Sequence, residues 1–202
     1  MQWTAWRLCE GSLLKMIRAV VIADDDSLVG KLNEQDASIL ISLGDLWNST
    51  IEQAATRYSC EQVLAVRGNH DTAGEYPYGV RSLHLSVFSY GGITFGGFDG
   101  SWKYKPRGHH LYEQCEVSAA LESFPSVDVF IAHNSPAGVH ERDDNIHQGF
   151  EAFGSYISRA QPKLFLHGHQ HLNLESQIGN TRVVGVFGEQ VITLPERVNR
   201  VI

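Results

Sequence analysis

At 202 residues and 22.5 kDa, the chain is long enough to bury a sizeable core and close to the size at which one domain is the rule. With 43% apolar and 19% charged residues, it lies far from disordered or collagen-like compositions. Its 16 basic and 23 acidic residues leave a net charge of −7, so no overall cationic field gathers polyanions, and bulk coating of nucleic acid is disfavoured.

In chain order, residues 1–15 mix Trp, Arg, Glu and Lys with short apolar pieces and read as an N-terminal extension before a single domain over 16–202. Apolar, β-branched runs then recur at Arg18 to Ile22, Ile39 to Leu43, Val63 to Val66, Val127 to Ile131 and Lys163 to Leu166. Such near-continuous runs suit strands covered on both faces. Between them, helices are expected over Leu28 to Glu34, Ile51 to Ser59, Glu113 to Ser123 and Phe150 to Ala160. Leu83 to Tyr90, Gly91-Gly92 and Ile93 to Phe98 read as a hairpin. A second hairpin is expected over Leu172 to Ile178, Gly179-Asn180 and Thr181 to Phe187, with a final strand near Val191 to Leu194. No apolar stretch approaches membrane-spanning length. Cys9, Cys60 and Cys115 are odd in number and lack any CxxC pairing, which fits thiols in a reducing, cytoplasmic setting.

The residues after the five apolar runs carry the chemistry. They are Asp24-Asp25-Asp26, Gly44-Asp45, Gly68-Asn69-His70-Asp71, His133 and Gly168-His169-Gln170-His171. Carboxyl ends of strands in open α/β sheets are where ligands gather, so these residues should converge. Taken singly, each has an ordinary reading. The acidic triplet suits a helix start, Gly44-Asp45 a turn, Asn69 and His70 a cap or loop, and His133 a satisfied buried histidine. Taken together, carboxylate, amide and imidazole donors at five strand ends form a ligand set for divalent ions.

This ordered set resembles the calcineurin-like metallophosphoesterase superfamily, whose pattern is D-x-H, GD-x-x-[DN], GNH-[DE], a lone His and GH-x-H. Here it stands as Asp24 to Asp26, Gly44 to Asn48, Gly68 to Asp71, His133 and Gly168 to His171, spanning residues 17 to about 194. The resemblance implies an α/β four-layer sandwich of two mixed β-sheets flanked by helices. It implies two divalent metal ions bridged by Asp45, one also held by Asp24, Asp26 and His171, the other by Asn69, His133 and His169. Such a pair lowers the pKa of a bridging water to give hydroxide and binds the phosphoryl oxygens of a monoester or diester. His70 would protonate the leaving oxygen or steady charge on the phosphoryl group, Asp71 would orient the His70 imidazole, and Asn48 would support the site around Asp45.

Asp26 departs from the pattern, standing where the superfamily has His. A set richer in carboxylate favours Mn²⁺ or Mg²⁺ over zinc, so Mn²⁺ is the ion expected, with Mg²⁺, Fe or Zn²⁺ as alternatives. The segment Gly97 to His110, with Trp102, Lys103, Tyr104, Lys105 and Arg107, reads either as a solvated hairpin tip or as a substrate lid supplying a cation and a ring, and the loop Pro136 to Gly149 is expected near the site mouth. The partner expected is a small phosphate ester, without membrane or nucleic acid. The alternatives are a nuclease of the same fold, against which the charge of −7 stands, and a non-catalytic interaction scaffold, against which the retained His70 stands.

Overall fold

A computed structural model describes residues 17–33 and 37–195; the extension expected over 1–15 lies outside them. In chain order the elements are β1 (Arg18–Ala23), β2 (Ile39–Ser42), α1 (Asn48–Arg57), β3 (Gln62–Ala65), β4 (Val80–Ser82), β5 (Val87–Tyr90), β6 (Ile93–Phe98), β7 (Ser101–Trp102) and β8 (Leu111–Tyr112). They continue with α2 (Gln114–Glu122), β9 (Val129–Ala132), α3 (Glu151–Ala160), β10 (Leu164–His167), β11 (Leu174–Ile178), β12 (Thr181–Gly185) and β13 (Gly188–Thr193). One mixed sheet has the order β13-β1-β2-β3-β4 and the other β11-β12-β10-β9-β6-β5, with β7 and β8 forming a small ribbon.

Side-chain alternation builds the layers. Val21, Ile41, Ile131 and Leu166 meet between the two sheets, whereas their neighbours Val20, Ile22 and Leu40 turn outward onto α1 and Phe130 and Phe165 turn outward onto α3. Each helix covers its sheet with one apolar stripe: Ile51 and Ala54 from α1, Val117 and Leu121 from α2, and Phe153, Tyr156 and Ile157 from α3. The expected four-layer sandwich is therefore what forms. Both faces of the central strands are buried, which is why they read as unbroken apolar runs. Among the described residues, no helix is long and apolar enough to cross a membrane.

Two elements differ from expectation. Where the sequence predicts a helix over Leu28 to Glu34, the described residues hold only a 3-10 turn, Asp26–Leu28. Gly30 adopts φ +84°, and the amides of Gly30, Lys31 and Leu32 donate to the Glu189 carboxylate of β13 in place of helical carbonyls. The stretch Leu83 to Tyr90 is also not one strand. Val80–Ser82 joins the first sheet and Val87–Tyr90 the second, with Leu83 buried between them and Leu85 at φ +49° turning the chain.

Candidate metal centre

Parallel pairing aligns the carboxyl ends of β1, β2 and β3 in one sheet and of β9 and β10 in the other. The loops that leave these ends carry Asp24, Asp45, Asn69, His133, His169 and His171. Four of the six have left-handed backbone: Asp24 (φ 68°), Asp45 (54°), His169 (61°) and His171 (51°). That conformation costs a non-glycine residue roughly a kcal/mol or more, and such residues cluster where function over-determines the backbone. Two glycines permit the close approach of the loops. A Cβ at Gly44 would strike the backbone of Gly68, and one at Gly68 would strike the Asp45 carboxylate.

At the centre, the His133 ring is fully buried, and its Nδ1 donates to the Leu43 carbonyl at 2.8 Å. Its other nitrogen, Nε2, lies 3.1 Å from Asn69 Oδ1 and 3.4 Å from Asp45 Oδ2. With Nδ1 holding the proton of a neutral ring, Nε2 offers a lone pair, so three lone-pair atoms face a single point. A cation satisfies all three. Without a metal that cation is a proton: burial opposes it, but the charge of Asp45 lifts the His133 pKa to about 9. Asp45 is correspondingly held far below the carboxylate range, since its own burial is outweighed by His133.

His169 completes the cluster; its ligand atom, with those of Asp45 and His133, lies within a 4.8 Å set. Its Nε2 donates to the Ile146 carbonyl at 3.2 Å, which leaves Nδ1 as the free lone pair. Asp24 has a fully buried side chain that accepts the His169 amide at 3.1 and 3.0 Å and lies 3.9 Å from His133 Nδ1. Burial, with repulsion from Asp45, pushes its pKa up to about 7. The donors expected to share one ion, Asp45, Asn69, His133 and His169, are thus gathered. Asp26 and His171 sit farther out. Asp26 accepts the Trp47 amide at 3.0 Å, and the exposed His171 ring stacks on Phe187 at 5.0 Å.

His70 uses its backbone amide to hold Asp45 Oδ1 at 2.8 Å and turns its ring to solvent. The resemblance has Asp71 orienting that ring, but its carboxylate is occupied elsewhere. It accepts the amides of Gly68 (2.8 Å), Asp45 (3.1 Å) and Leu46 (3.2 Å), stitching two ligand loops together. A cavity of about 290 Å³ opens beside them, lined by Asp26, Asp45, Trp47, Asn48, Arg67 and His70 among others. Asn48 accepts from Arg67 Nη1 at 3.0 Å, and the guanidinium lies 3.6 Å over the Tyr76 ring.

From the segment Gly97 to His110, Tyr104 alone touches the ligand set, its hydroxyl accepting from Asn69 Nδ2 at 3.3 Å. The loop Pro136 to Gly149 supplies the Ile146 carbonyl and, through the His147 carbonyl, a partner for Gln170 at 2.8 Å. Gln170 is 1% exposed and also donates to Ser135 Oγ at 3.0 Å, which ties the His169 loop to the His133 loop. In sequence it reads as a spacer between two histidines. A Gln at such a position carries no periodicity that marks it.

A family model of the calcineurin-like phosphoesterase superfamily domain matches residues 21–191. The chain belongs to the calcineurin-like phosphoesterase superfamily. Solved structures agree on the fold. One is matched over 100% of its length and 89% of this chain, at 17% identity and TM-score 0.62. The protein TT1561 of Thermus thermophilus is 15% identical with TM-score 0.56, covering 84% of this chain and 88% of its own. The phosphopantetheinyl hydrolase of Mycobacterium tuberculosis is 12% identical with TM-score 0.54, covering 85% and 90%. No curated protein sequence gives a significant match to this chain. Divalent ions are typical of the superfamily, and Asp45, His133 and His169 form a group among the described residues that could hold one.

Proposed function

We propose that this chain is a metal-dependent phosphoesterase that hydrolyses a small phosphate diester, with Mn²⁺ the preferred ion. The observation that carries this reading is the meeting of Asn69 Oδ1 and Asp45 Oδ2 at His133 Nε2, with the His133 proton held away on Leu43. Asp45, Asn69, His133 and His169 would hold one divalent ion, and Asp24, Asp26 and His171, sharing Asp45, a second. When bound, such ions activate water as a nucleophile and neutralise phosphoryl oxygens. No protein nucleophile is required.

The remaining roles belong to the chain itself. His70 presents an exposed ring at the cavity and would give a proton to the leaving oxygen. Asp71 positions the Asp45 and Asn69 loops through their amides. The cavity lining offers no Lys and no free Arg to pair a second phosphoryl charge, which favours a diester over a monoester. The wall carries Asp26, Asp45 and Asp71, and its one guanidinium, Arg67, is 4% exposed, donating to Asn48 Oδ1 and the Gly74 carbonyl. A dianionic monoester would bring a second negative charge that no side chain of that lining pairs.

The test is hydrolysis of aryl phosphate monoesters and diesters by metal-reconstituted protein, with and without chelator. The expected result is activity that chelation abolishes, with Mn²⁺ better than Zn²⁺ and diesters turned over faster. Undiminished activity in excess chelator would overturn the metal-dependent reading. Zn²⁺ as the best ion, or monoesters as the best substrates, would overturn those parts of it alone.

A further inference from the structure

Behind the metal centre, a run of hydrogen bonds leads from the edge strand β11 to Asp24, and its proton positions are dictated from one end. The Gly168 carbonyl can only accept, so its 3.0 Å contact with His167 Nδ1 places a proton on that nitrogen. His167 is fully buried, which keeps the ring neutral, so its Nε2 is an acceptor. The atom facing that Nε2 at 2.9 Å is His140 Nδ1, which must donate. His140 Nε2 is then an acceptor in turn, and Ser176 Oγ donates to it at 2.8 Å. At the other end, the peptide whose oxygen receives the His167 proton has the His169 amide as its N–H, and that amide donates to both Asp24 oxygens. Every donor in the series points toward Asp24.

Two features of the surrounding backbone fit this arrangement. His140 is held at φ +58°, in the left-handed region. Gly185 lies opposite His167 in the β10–β12 register, and a Cβ there would come within 3.0 Å of His167 Cε1 and 3.3 Å of His140 Nδ1. A side chain at 185 would press into the imidazole pair.

We propose that Ser176, His140 and His167 are positioning residues that orient the Gly168–His169 peptide and, through it, fix Asp24 as a metal ligand. The inference rests on the reading of Asp24 as a ligand. Aligned donors polarise one another, so the amide reaching Asp24 is a stronger and better-directed donor than an isolated one. The relay does this with neutral groups, bringing no positive charge next to the cation.

The first test uses metal-free protein. Nitrogen-15 resolved NMR of the imidazoles should show both His140 and His167 as neutral Nδ1–H tautomers, and an Nε2–H tautomer in either ring would overturn the relay. The second is Mn²⁺ titration by calorimetry. Ser176→Ala and His140→Leu should each weaken binding by about tenfold or more, the range seen when outer partners of metal ligands are removed. Ser176→Thr, which keeps the hydroxyl, should bind as the parent does; weakening in it equal to that in Ser176→Ala would overturn the relay. Asp24→Ala separates the two claims. If it leaves Mn²⁺ binding unchanged, the ligand assignment fails; if it weakens binding while Ser176→Ala and His140→Leu do not, the relay alone fails.

Discussion

Asp45 and His70 lie in contact, the amide of one on the carboxylate of the other, yet they should fail differently. Asp45→Ala should strip bound metal, because the carboxylate faces the lone pair of His133 at the centre of the cluster. His70→Ala should keep metal, measured by elemental analysis, and lose turnover by about 10²–10⁴-fold, the usual span of general acid catalysis. Substrates with good leaving groups should lose less. Equal metal loss in both variants would remove the proton-donor role from His70. Trp47 invites a separate test. It is 69% exposed at the cavity wall and occupies the N-cap of α1 without a side-chain capping bond, where Ser, Thr, Asp or Asn would serve the helix better. Trp47→Ala should therefore raise KM for aryl diesters several-fold while kcat holds, since a planar group stacked there contributes binding and no chemistry. A fall in kcat with KM unmoved would contradict that.

At the scale of elements, Glu189 shows how one side chain decides local structure from a distance. Its carboxylate accepts the amides of Gly30, Lys31 and Leu32 and the Tyr58 hydroxyl, joining β13 to α1 and to the segment after β1. Glu189→Ala should cost about 2–3 kcal/mol in urea unfolding, because three backbone amides and the Tyr58 hydroxyl lose a shared charged acceptor. Glu189→Gln should cost less. A loss below about 0.5 kcal/mol in Glu189→Ala would show that water replaces the carboxylate. This contact also explains why Leu28 to Glu34 is misread as a helix: local residues permit one, and the competing acceptor lies 157 to 159 positions away. The break at Leu83 is equally hidden, since its apolar alternation suits either sheet. By contrast, β1, β2, β3, β9 and β10 are legible because both their faces are buried. Asp24, Asp45, His133 and His169 are legible because ligand types recur at strand ends. The partners Gln170 and Ile146 are not, because each acts across the fold through an amide or a backbone carbonyl that any sequence could hold.

For the whole molecule, the candidate ligands come from loops of both sheets, so metal binding and folding should be linked. Mn²⁺ at a hundredfold excess over its Kd should raise unfolding free energy by about 2.7 kcal/mol, read as a shift in urea midpoint. No shift would show that the ion does not select the folded state. Metal-free protein should also be acid-labile. Burial holds the His167 pKa down to about 3, below its unfolded value of 6.5. The unfolded chain therefore takes up that proton first, and stability is lost as pH falls from 6.5 toward 3. Between pH 6.5 and 5 the loss is on the order of 2 kcal/mol from this ring. Asp24, with its raised pKa, acts in the opposite sense below pH 7, so the readout is the difference between parent and His167→Leu. The variant should lose less stability on acidification; parallel curves would show that His167 is not what titrates.

The pairing of β1 with β13 carries a consequence of another kind. Ala23 lies opposite Gly188, and the Leu194 amide closes onto the Ile17 carbonyl at 2.9 Å. During synthesis β1 leaves the ribosome long before its antiparallel neighbour exists, a wait of roughly 10–30 s at about 5–20 residues per second. Throughout that interval one edge of β1 is an open template for any passing strand, and the amides of Gly30, Lys31 and Leu32 lack their Glu189 acceptor. The candidate metal centre is thus completed only when β13 reaches β1.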